Sequence, residues 1–219
     1  MIFEHLDRIV FLGDSVTDAG SVCPIGEGLG NNAGFGYVRM VDNFLAATYP
    51  ERSIRVTNAG ISGDTSRKLL MRFDRDCIDL DPAWVSICVG INDIRLQFSA
   101  PTFTEQAVLP DEYESNLNTM IEKCKRKSTV KGIFLLTPFY VEPNREDALR
   151  AQVDAYVAIC RRLAKKHGCI LVDFQALYDD YCKFHHSSFI ADDRIHPNQI
   201  GATLMAKELL RHCDFDFTK

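Results

Sequence analysis

The chain has 219 residues, a formal net charge of −5, and 46% hydrophobic and 25% charged residues. This length and composition are typical of one globular domain with a sizeable core, so we expect a single domain over residues 1–219. The acidic balance argues against nucleic-acid binding, which needs a basic face. No apolar run approaches the about 20 residues that cross a bilayer, so no membrane span is predicted.

Predicted strands and helices alternate in the first half of the chain. A short apolar run predicts a strand over 9–12, and an amphipathic pattern predicts a helix over 37–47. Between them, residues 20–36 contain six glycines and predict a mobile loop. A second strand is predicted over 53–57, then a helix that begins after Asp64 or Thr65 and ends near 79. The third strand is predicted over 83–89.

The same alternation continues after an irregular insertion at 94–110. Helices are predicted from 111 onward, over 145–167, over 174–183 and over 197–210, with strands over 130–136 and 169–172. Strands that alternate with amphipathic helices indicate βαβ units and a parallel sheet. Right-handed crossovers then place helices on both faces of that sheet.

The cysteines, one glycine-rich stretch and a pair of histidines could indicate disulfides, a dinucleotide site or a zinc site, but their spacing or context argues against each. The eight cysteines are scattered without a Cys-x-x-Cys motif, and the first residues lack the features of a signal peptide, so we expect free thiols and a cytoplasmic location. Residues 28–33 match a loose dinucleotide-binding pattern, but no strand directly precedes them. His185 and His186, with Cys182 and Asp192, do not have the spacing of a closed zinc site. No metal or cofactor is therefore predicted.

Short polar motifs follow three of the predicted strands. These are Gly-Asp-Ser at 13–15, Asn-Ala-Gly at 58–60 and Gly-Ile-Asn-Asp at 90–93, and a fourth motif, Asp-Arg-Ile-His at 193–196, precedes the last helix. The carboxyl ends of parallel strands meet at one edge of a sheet, where ligands bind in open α/β folds. The sequence therefore predicts that the motifs form one site.

The residue types in these motifs are those that acyl transfer requires. Ser15 would be the nucleophile, His196 the base, and Asp193 the acid that orients the imidazole from three residues away. The backbone N–H groups of Ser15 and Gly60 and the side-chain amide of Asn92 would stabilise the oxyanion.

The four motifs, in this order, resemble the blocks of the SGNH, or GDSL, hydrolase superfamily of esterases and lipases. The resemblance extends from near residue 9 to near residue 202 and implies a flavodoxin-like three-layer α/β/α sandwich with a five-stranded parallel sheet. It assigns the same roles to Ser15, Gly60, Asn92, Asp193 and His196, with no cofactor. A weaker similarity to carbohydrate acetylesterases favours short acyl esters of a sugar or other small alcohol as the small-molecule substrate.

Several residues keep two interpretations. Asp192 competes with Asp193 as the orienting acid, although position 193 has the family spacing. Arg95 would contact substrate or form a surface ion pair. Phe98 and Phe103 would line the substrate pocket or lie in a subunit contact of a homo-oligomer.

The function itself also has alternatives. A lysophospholipase or thioesterase would act on longer acyl chains, and a transferase would pass the acyl group to an acceptor other than water. A non-catalytic ligand-binding protein is a remote alternative, because all the groups that acyl transfer needs are present. Whether residues 20–36 act as a lid is left open by the sequence.

Overall fold

A six-stranded sheet forms the centre of the computed structural model, which describes residues 1–28, 30–99 and 104–219. In chain order the strands are β1 (Arg8–Gly13), β2 (Gly26–Glu27), β3 (Arg55–Gly60), β4 (Trp84–Cys88), β5 (Gly132–Leu136) and β6 (Ile170–Val172). Their order across the sheet is β2-β3-β1-β4-β5-β6, and every neighbouring pair is parallel except β2 with β3. The five predicted parallel strands are thus confirmed in the flavodoxin-like order.

The sixth strand, β2, corrects the prediction of a five-stranded sheet and of a mobile loop over residues 20–36. Gly26 and Glu27 pair antiparallel with Asn58 and Thr57 of β3. The Glu27 carboxylate accepts hydrogen bonds from Arg55 Nε and Thr57 Oγ1, both at 2.6 Å. Part of the glycine-rich segment is therefore fixed against the edge of the sheet. Leu29, within the loose dinucleotide pattern, lies outside the described residues.

Helices cover both faces of the sheet. They are α1 (Ser15–Asp18), α2 (Tyr37–Thr48), α3 (Ser66–Asp76), α4 (Ile91–Arg95), α5 (Pro110–Arg126), α6 (Ala148–His167), α7 (Phe174–Tyr181) and α8 (Gln199–Arg211). Capping side chains set several of the starts: Asp147 accepts from the Arg150 N–H before α6, and Asn198 accepts from the Ile200 N–H before α8. The last helix therefore begins two residues after Pro197, where the prediction had placed its start.

Each face of the sheet has its own apolar core. Along β1, Ile9 and Phe11 point to the core beneath α2, α7 and α8, while Val10 and Leu12 point to the core beneath α3, α5 and α6. A strand buried on both faces is apolar along its whole length, which explains the uninterrupted run at 9–12. The arrangement confirms the three-layer sandwich. Within the described ranges, we find no helix long and apolar enough to cross a membrane.

Candidate active site

The turn after β1 presents Ser15 at the carboxyl edge of the sheet. Ser15 is the first residue of α1, and Asp14 caps this helix by accepting a hydrogen bond from the Val16 N–H at 3.0 Å. Gly13 is required before them, because a Cβ there would lie 2.2 Å from Thr17 Oγ1 and 2.4 Å from the Cys88 carbonyl oxygen. As the sequence predicted, Asp14 holds the turn.

Ser15, His196 and Asp193 form a continuous hydrogen-bonded chain. Ser15 Oγ lies 2.7 Å from His196 Nε2, and His196 Nδ1 lies 2.5 Å from Asp193 Oδ2. The other carboxylate oxygen of Asp193 accepts the backbone N–H groups of Ile195 and His196 at 2.9 and 2.8 Å. The three-residue spacing thus lets a local turn place the acid against the imidazole, and the contact is made by Asp193 and not by Asp192.

The hydrogen bonds from His196 also set the charge state of Asp193. Partial burial raises the pKa of this carboxyl, but the bonds from the backbone and ring of His196 outweigh burial, and the pKa lies below its usual value. Asp193 is therefore ionised at neutral pH, the state that favours a proton on Nδ1 of His196 and leaves Nε2 as an acceptor toward Ser15.

Asn92 stands on the next strand end, at the start of α4. Its side chain is held from two sides: Nδ2 donates to the Asp64 carbonyl at 3.0 Å, and Oδ1 accepts from Arg95 Nε at 3.0 Å. An amide nitrogen carries two N–H groups, so one remains for a ligand. These contacts fix the orientation of the amide.

The prediction that the Gly60 N–H is an oxyanion donor is wrong. Gly60 is the buried last residue of β3, and its N–H donates to Asn58 Oδ1 at 2.9 Å. A Cβ at this position would lie 2.3 Å from the Asp18 backbone nitrogen, so glycine allows β3 to approach α1. The Asn58 side chain is itself held, because Nδ2 donates to the Thr17 carbonyl at 2.7 Å. The close approach is therefore to the protein's own backbone and not to a substrate.

Gly63 lies just beyond β3 and was not among the residues predicted for the site. It is exposed, has a φ of 82°, and its N–H has no partner among the described residues. The Ile61 N–H donates to the Gly13 carbonyl at 3.0 Å, and the Asp64 carbonyl accepts from Asn92. Gly63 thus lies on a short segment tied at one end to the strand that precedes Ser15 and at the other to Asn92.

A signal for this assignment was present in the sequence. Asn and Asp side chains commonly accept the N–H two residues ahead in an Asx turn, and Asn58 does so with Gly60. The Gly60 N–H is therefore expected to be used by Asn58, and a free backbone N–H is expected further along the chain. Gly63 directly precedes Asp64 and Thr65, where the next helix is capped, and a left-handed backbone at such a turn favours glycine.

Arg95, Phe98 and Phe103 were each predicted either to contact substrate or to make another surface contact. Arg95 is exposed and donates to Asn92, and the structure shows no ion pair for it in the ranges described. Contact with substrate thus remains a prediction for this side chain. Phe98 is 50% exposed, and Phe103 lies outside the described residues.

The two histidines considered for zinc binding have other neighbours. The ring of His185 lies 5.1 Å from that of Tyr181 and 5.4 Å from that of Phe189, and His186 Nδ1 lies 2.9 Å from Ser188 Oγ. Over residues 1–28, 30–99 and 104–219, no group of three or more His, Cys, Asp or Glu side chains is placed to hold a metal ion.

A small cavity of about 160 Å³ opens beside Ser15 and His196. Its other lining residues are mainly apolar and come from α1, the start of α2 and α8; they are Val16, Ala19, Gly36, Tyr37, Pro197, Ala202 and Met205. Met205 is fully buried. Ser15 therefore adjoins a cavity that is large enough for a small group, and the apolar core closes the inner side of this cavity.

Two carboxyl groups beneath the site have raised pKa values. Burial raises the pKa of Asp14 to about 7, and the Val16 N–H only partly opposes this effect. Burial likewise raises the pKa of Asp93 to about 6, although Asp93 accepts the Ser66 N–H at 2.9 Å. Asp14 holds its own turn, as the sequence predicted, whereas the Asp93 carboxylate instead accepts the Ser66 N–H at the start of α3. Both groups bind protons more tightly in the folded chain than in the unfolded one.

Replacing Asp14 with asparagine is expected to flatten the dependence of stability on pH. A raised pKa stabilises the fold in full below pH 3.8, and this stabilisation is lost as the pH rises to about 7. The loss amounts to about 1.4 kcal/mol for each unit of pKa difference. Asparagine keeps an oxygen for the Val16 N–H but does not titrate. Urea unfolding from pH 4 to pH 8 measures the slope, and equal slopes in both proteins would contradict the assignment.

Comparison with known proteins places this geometry in a family. Residues 11–204 match the GDSL-like lipase/acylhydrolase family, and the chain belongs to it. An acetylxylan esterase from Geobacillus stearothermophilus is 40% identical over 213 residues, which cover 97% of this chain and 96% of that protein. With its membership and this similarity, the chain is a carboxylic-ester hydrolase.

Solved structures agree with this assignment. The crystal structure of an acetylxylan esterase from Geobacillus stearothermophilus has a TM-score of 0.95 and 40% identity, and the match covers 99% of this chain and 98% of that one. An α/β hydrolase enzyme from the metagenome of Lake Arreo has a TM-score of 0.91 and 43% identity, over 97% of both chains.

Proposed function

We propose that the protein hydrolyses acetyl esters of a sugar or other small alcohol, through a Ser-His-Asp triad and an acyl-enzyme. The observation that best supports this proposal is the hydrogen-bonded chain from Ser15 through His196 to Asp193 at the carboxyl edge of the sheet. The choice of acetyl esters and a sugar rests on the 40% identity to an acetylxylan esterase. The small cavity beside Ser15 supports a short acyl group.

The first half of the reaction forms the acyl-enzyme. Ser15 Oγ attacks the ester carbonyl while its proton passes to Nε2 of His196, and the Asp193 carboxylate stabilises the resulting imidazolium. The carbonyl oxygen becomes an oxyanion, which the N–H groups of Ser15 and Gly63 and the Asn92 amide stabilise. The C–O bond to the alcohol then breaks, and the alcohol leaves with the proton from Nε2.

The second half releases the acid. Water attacks the acyl carbonyl and gives a proton to His196 Nε2, and a second oxyanion forms at the same donors. Its collapse breaks the bond to Ser15 Oγ, which recovers the proton, and acetate leaves.

A chain-length series tests the proposed acyl specificity. Among p-nitrophenyl esters, kcat/KM is expected to be highest for acetate and to fall by about 100-fold or more by the hexanoate, because one methylene that a pocket cannot hold changes specificity by about 1–3 kcal/mol and the hexanoate has four more than the acetate. A maximum at eight carbons or more would contradict the proposal and favour a lysophospholipase or thioesterase.

The alcohol is tested separately with natural acetyl esters. We expect acetate release from acetylated xylo-oligosaccharides to exceed release from an acetylated alcohol without a sugar ring, at equal ester concentration. Equal rates on both would remove the sugar from the proposal and leave the acetyl specificity intact. Addition of a small alcohol with product analysis reports whether the acyl group reaches an acceptor other than water.

A further inference from the structure

The turn that carries Asp193 and His196 is held from outside by the segment after β5. Arg194 lies within this turn, and its guanidinium forms an ion pair with Glu142, with 2.5 Å between Nη1 and Oε2. The backbone of Arg194 is tied as well, because the Val141 N–H donates to its carbonyl oxygen at 2.8 Å. The main chain of Arg194 is thus held by Val141, and its side chain is held by the adjacent residue, Glu142.

These anchors maintain an unfavourable backbone conformation. Arg194 has a φ of 64°, in the left-handed region that residues with a side chain rarely occupy. Such a conformation persists where the surrounding contacts determine it. The conformation matters because the turn it forms brings the Asp193 carboxylate to both the backbone N–H and the ring of His196.

Glu142 is in turn fixed to the scaffold. Its side chain is 11% exposed, and its second oxygen accepts the Asn144 N–H at 2.7 Å. Its carbonyl oxygen accepts a hydrogen bond from Arg150, a residue of α6 whose side chain is 1% exposed. Arg150 also donates to both carboxylate oxygens of Asp179 on α7, at 2.8 and 2.7 Å. The position of Glu142 is therefore set by contacts that lead through Arg150 of α6 to Asp179 of α7.

We infer that Glu142 is a positioning residue: through its ion pair with Arg194 it fixes the turn from which His196 reaches Ser15. The inference rests on the proposed triad mechanism. The guanidinium end of this pair is 42% exposed, and ion pairs that water reaches contribute little to stability, so we expect the effect on geometry to exceed the effect on stability. A displacement of about 1 Å at a reacting group can lower a rate by about 100-fold, which makes kcat the sensitive measurement.

Four variants separate positioning from folding. Glu142→Gln and Arg194→Gln remove one charge each, and each is expected to lower kcat for p-nitrophenyl acetate by about 10-fold to 100-fold, with KM within about twofold. Because the two residues act as one contact, the double variant is expected to be no slower than the slower single variant. Arg194→Lys, which keeps the cation, is expected to recover most of the lost kcat.

Arg194→Gly is the decisive variant. Glycine adopts a positive φ without strain, so the protein is expected to be at least as stable to heat as wild type. The same change removes the guanidinium, and because glycine also populates other backbone conformations the turn is no longer fixed, so kcat is expected to fall as in Arg194→Gln. A merely structural role predicts the opposite, namely wild-type kcat in a protein whose turn is intact. This variant also gives a result if Glu142→Gln fails to fold.

Matched controls complete the experiment. Glu114 and Arg162 form an ion pair between α5 and α6 with 2.6 Å between its closest atoms, and Glu114→Gln is expected to leave kcat within about twofold of wild type. Wild-type kcat in Arg194→Gly, additive losses in the double variant, or an equal loss in Glu114→Gln would each overturn the inference. Ser15→Ala, assayed in parallel, distinguishes this failure from a failure of the triad mechanism, because only the latter leaves its activity intact.

Discussion

Replacing Ser15 with alanine is expected to reduce kcat for p-nitrophenyl acetate by about 10⁴-fold or more. Alanine cannot form the covalent intermediate, and His196 then has no hydroxyl to deprotonate at 2.7 Å. The oxyanion donors remain, so a small residual rate above the uncatalysed one is expected. KM is expected to change little, because the hydroxyl contributes to the transition state more than to binding of the ester.

The same experiment identifies the intermediate. Wild-type protein quenched during turnover is expected to carry one acetyl group on Ser15, detected by mass spectrometry of its peptides, and Ser15→Ala is expected to carry none. Ser115→Ala, on the exposed surface of α5, is the matched control and should keep full activity. Activity that survives in Ser15→Ala would show that another group does the chemistry.

Replacing Asn92 with alanine is expected to lower kcat by about 10²-fold to 10³-fold, equivalent to about 3–4 kcal/mol of lost oxyanion stabilisation. The amide is held by Asp64 and Arg95, so its free N–H meets the developing charge without reorganisation. Asn92→Asp is expected to lose at least as much, because a carboxylate repels the oxyanion. KM should stay within about twofold in both variants, since the donor acts on the transition state.

A second asparagine serves as the control for Asn92. Asn118 on α5 accepts hydrogen bonds from Lys166 and His167, far along the sequence from the active-site motifs. Asn118→Ala should keep kcat within about twofold of wild type. If Asn92→Ala had the same kcat as Asn118→Ala, the oxyanion would have to be stabilised by the backbone N–H groups alone.

The strand ends were predictable because the signals that define them are local. Uninterrupted apolar runs mark strands that are buried on both faces, and parallel connections bring their carboxyl ends together whatever the details of packing. The Asp193 to His196 contact is also local, since both lie in one turn. For these two reasons, the sequence alone predicts that Ser15, Asn92, Asp193 and His196 form one site.

The choice between Gly60 and Gly63 depends on features that a motif does not encode. β3 runs three residues further than predicted, which places Gly60 inside the strand and opposite Gly13 of β1. Its N–H then donates to Asn58, and we therefore propose Gly63, beyond the strand, as the donor. Strand length was decided here by pairing with β1, and pairing is a long-range contact.

The contacts that hold the turn over 193–196 are also long-range, and so is the pairing of the sixth strand, so neither was predicted from the sequence. Nothing near position 142 indicates a partner at Arg194, because the two are brought together only when the segment after β5 lies against the last loop. A two-residue strand such as β2 leaves no periodicity to detect. Both features become visible only in three dimensions.

The short strand β2 has a consequence for how molecules of this protein behave toward one another. An unpaired strand edge invites a strand from a second chain, and long edges are the usual route to aggregation. β2 covers β3 at Thr57 and Asn58, and it exposes only two residues and the charge of Glu27 in exchange. Shortening the segment over 20–36 would uncover the edge of β3 at Thr57 and Asn58. The glycine-rich segment thus covers part of this strand edge, and its last residue, Gly36, lines the cavity beside Ser15.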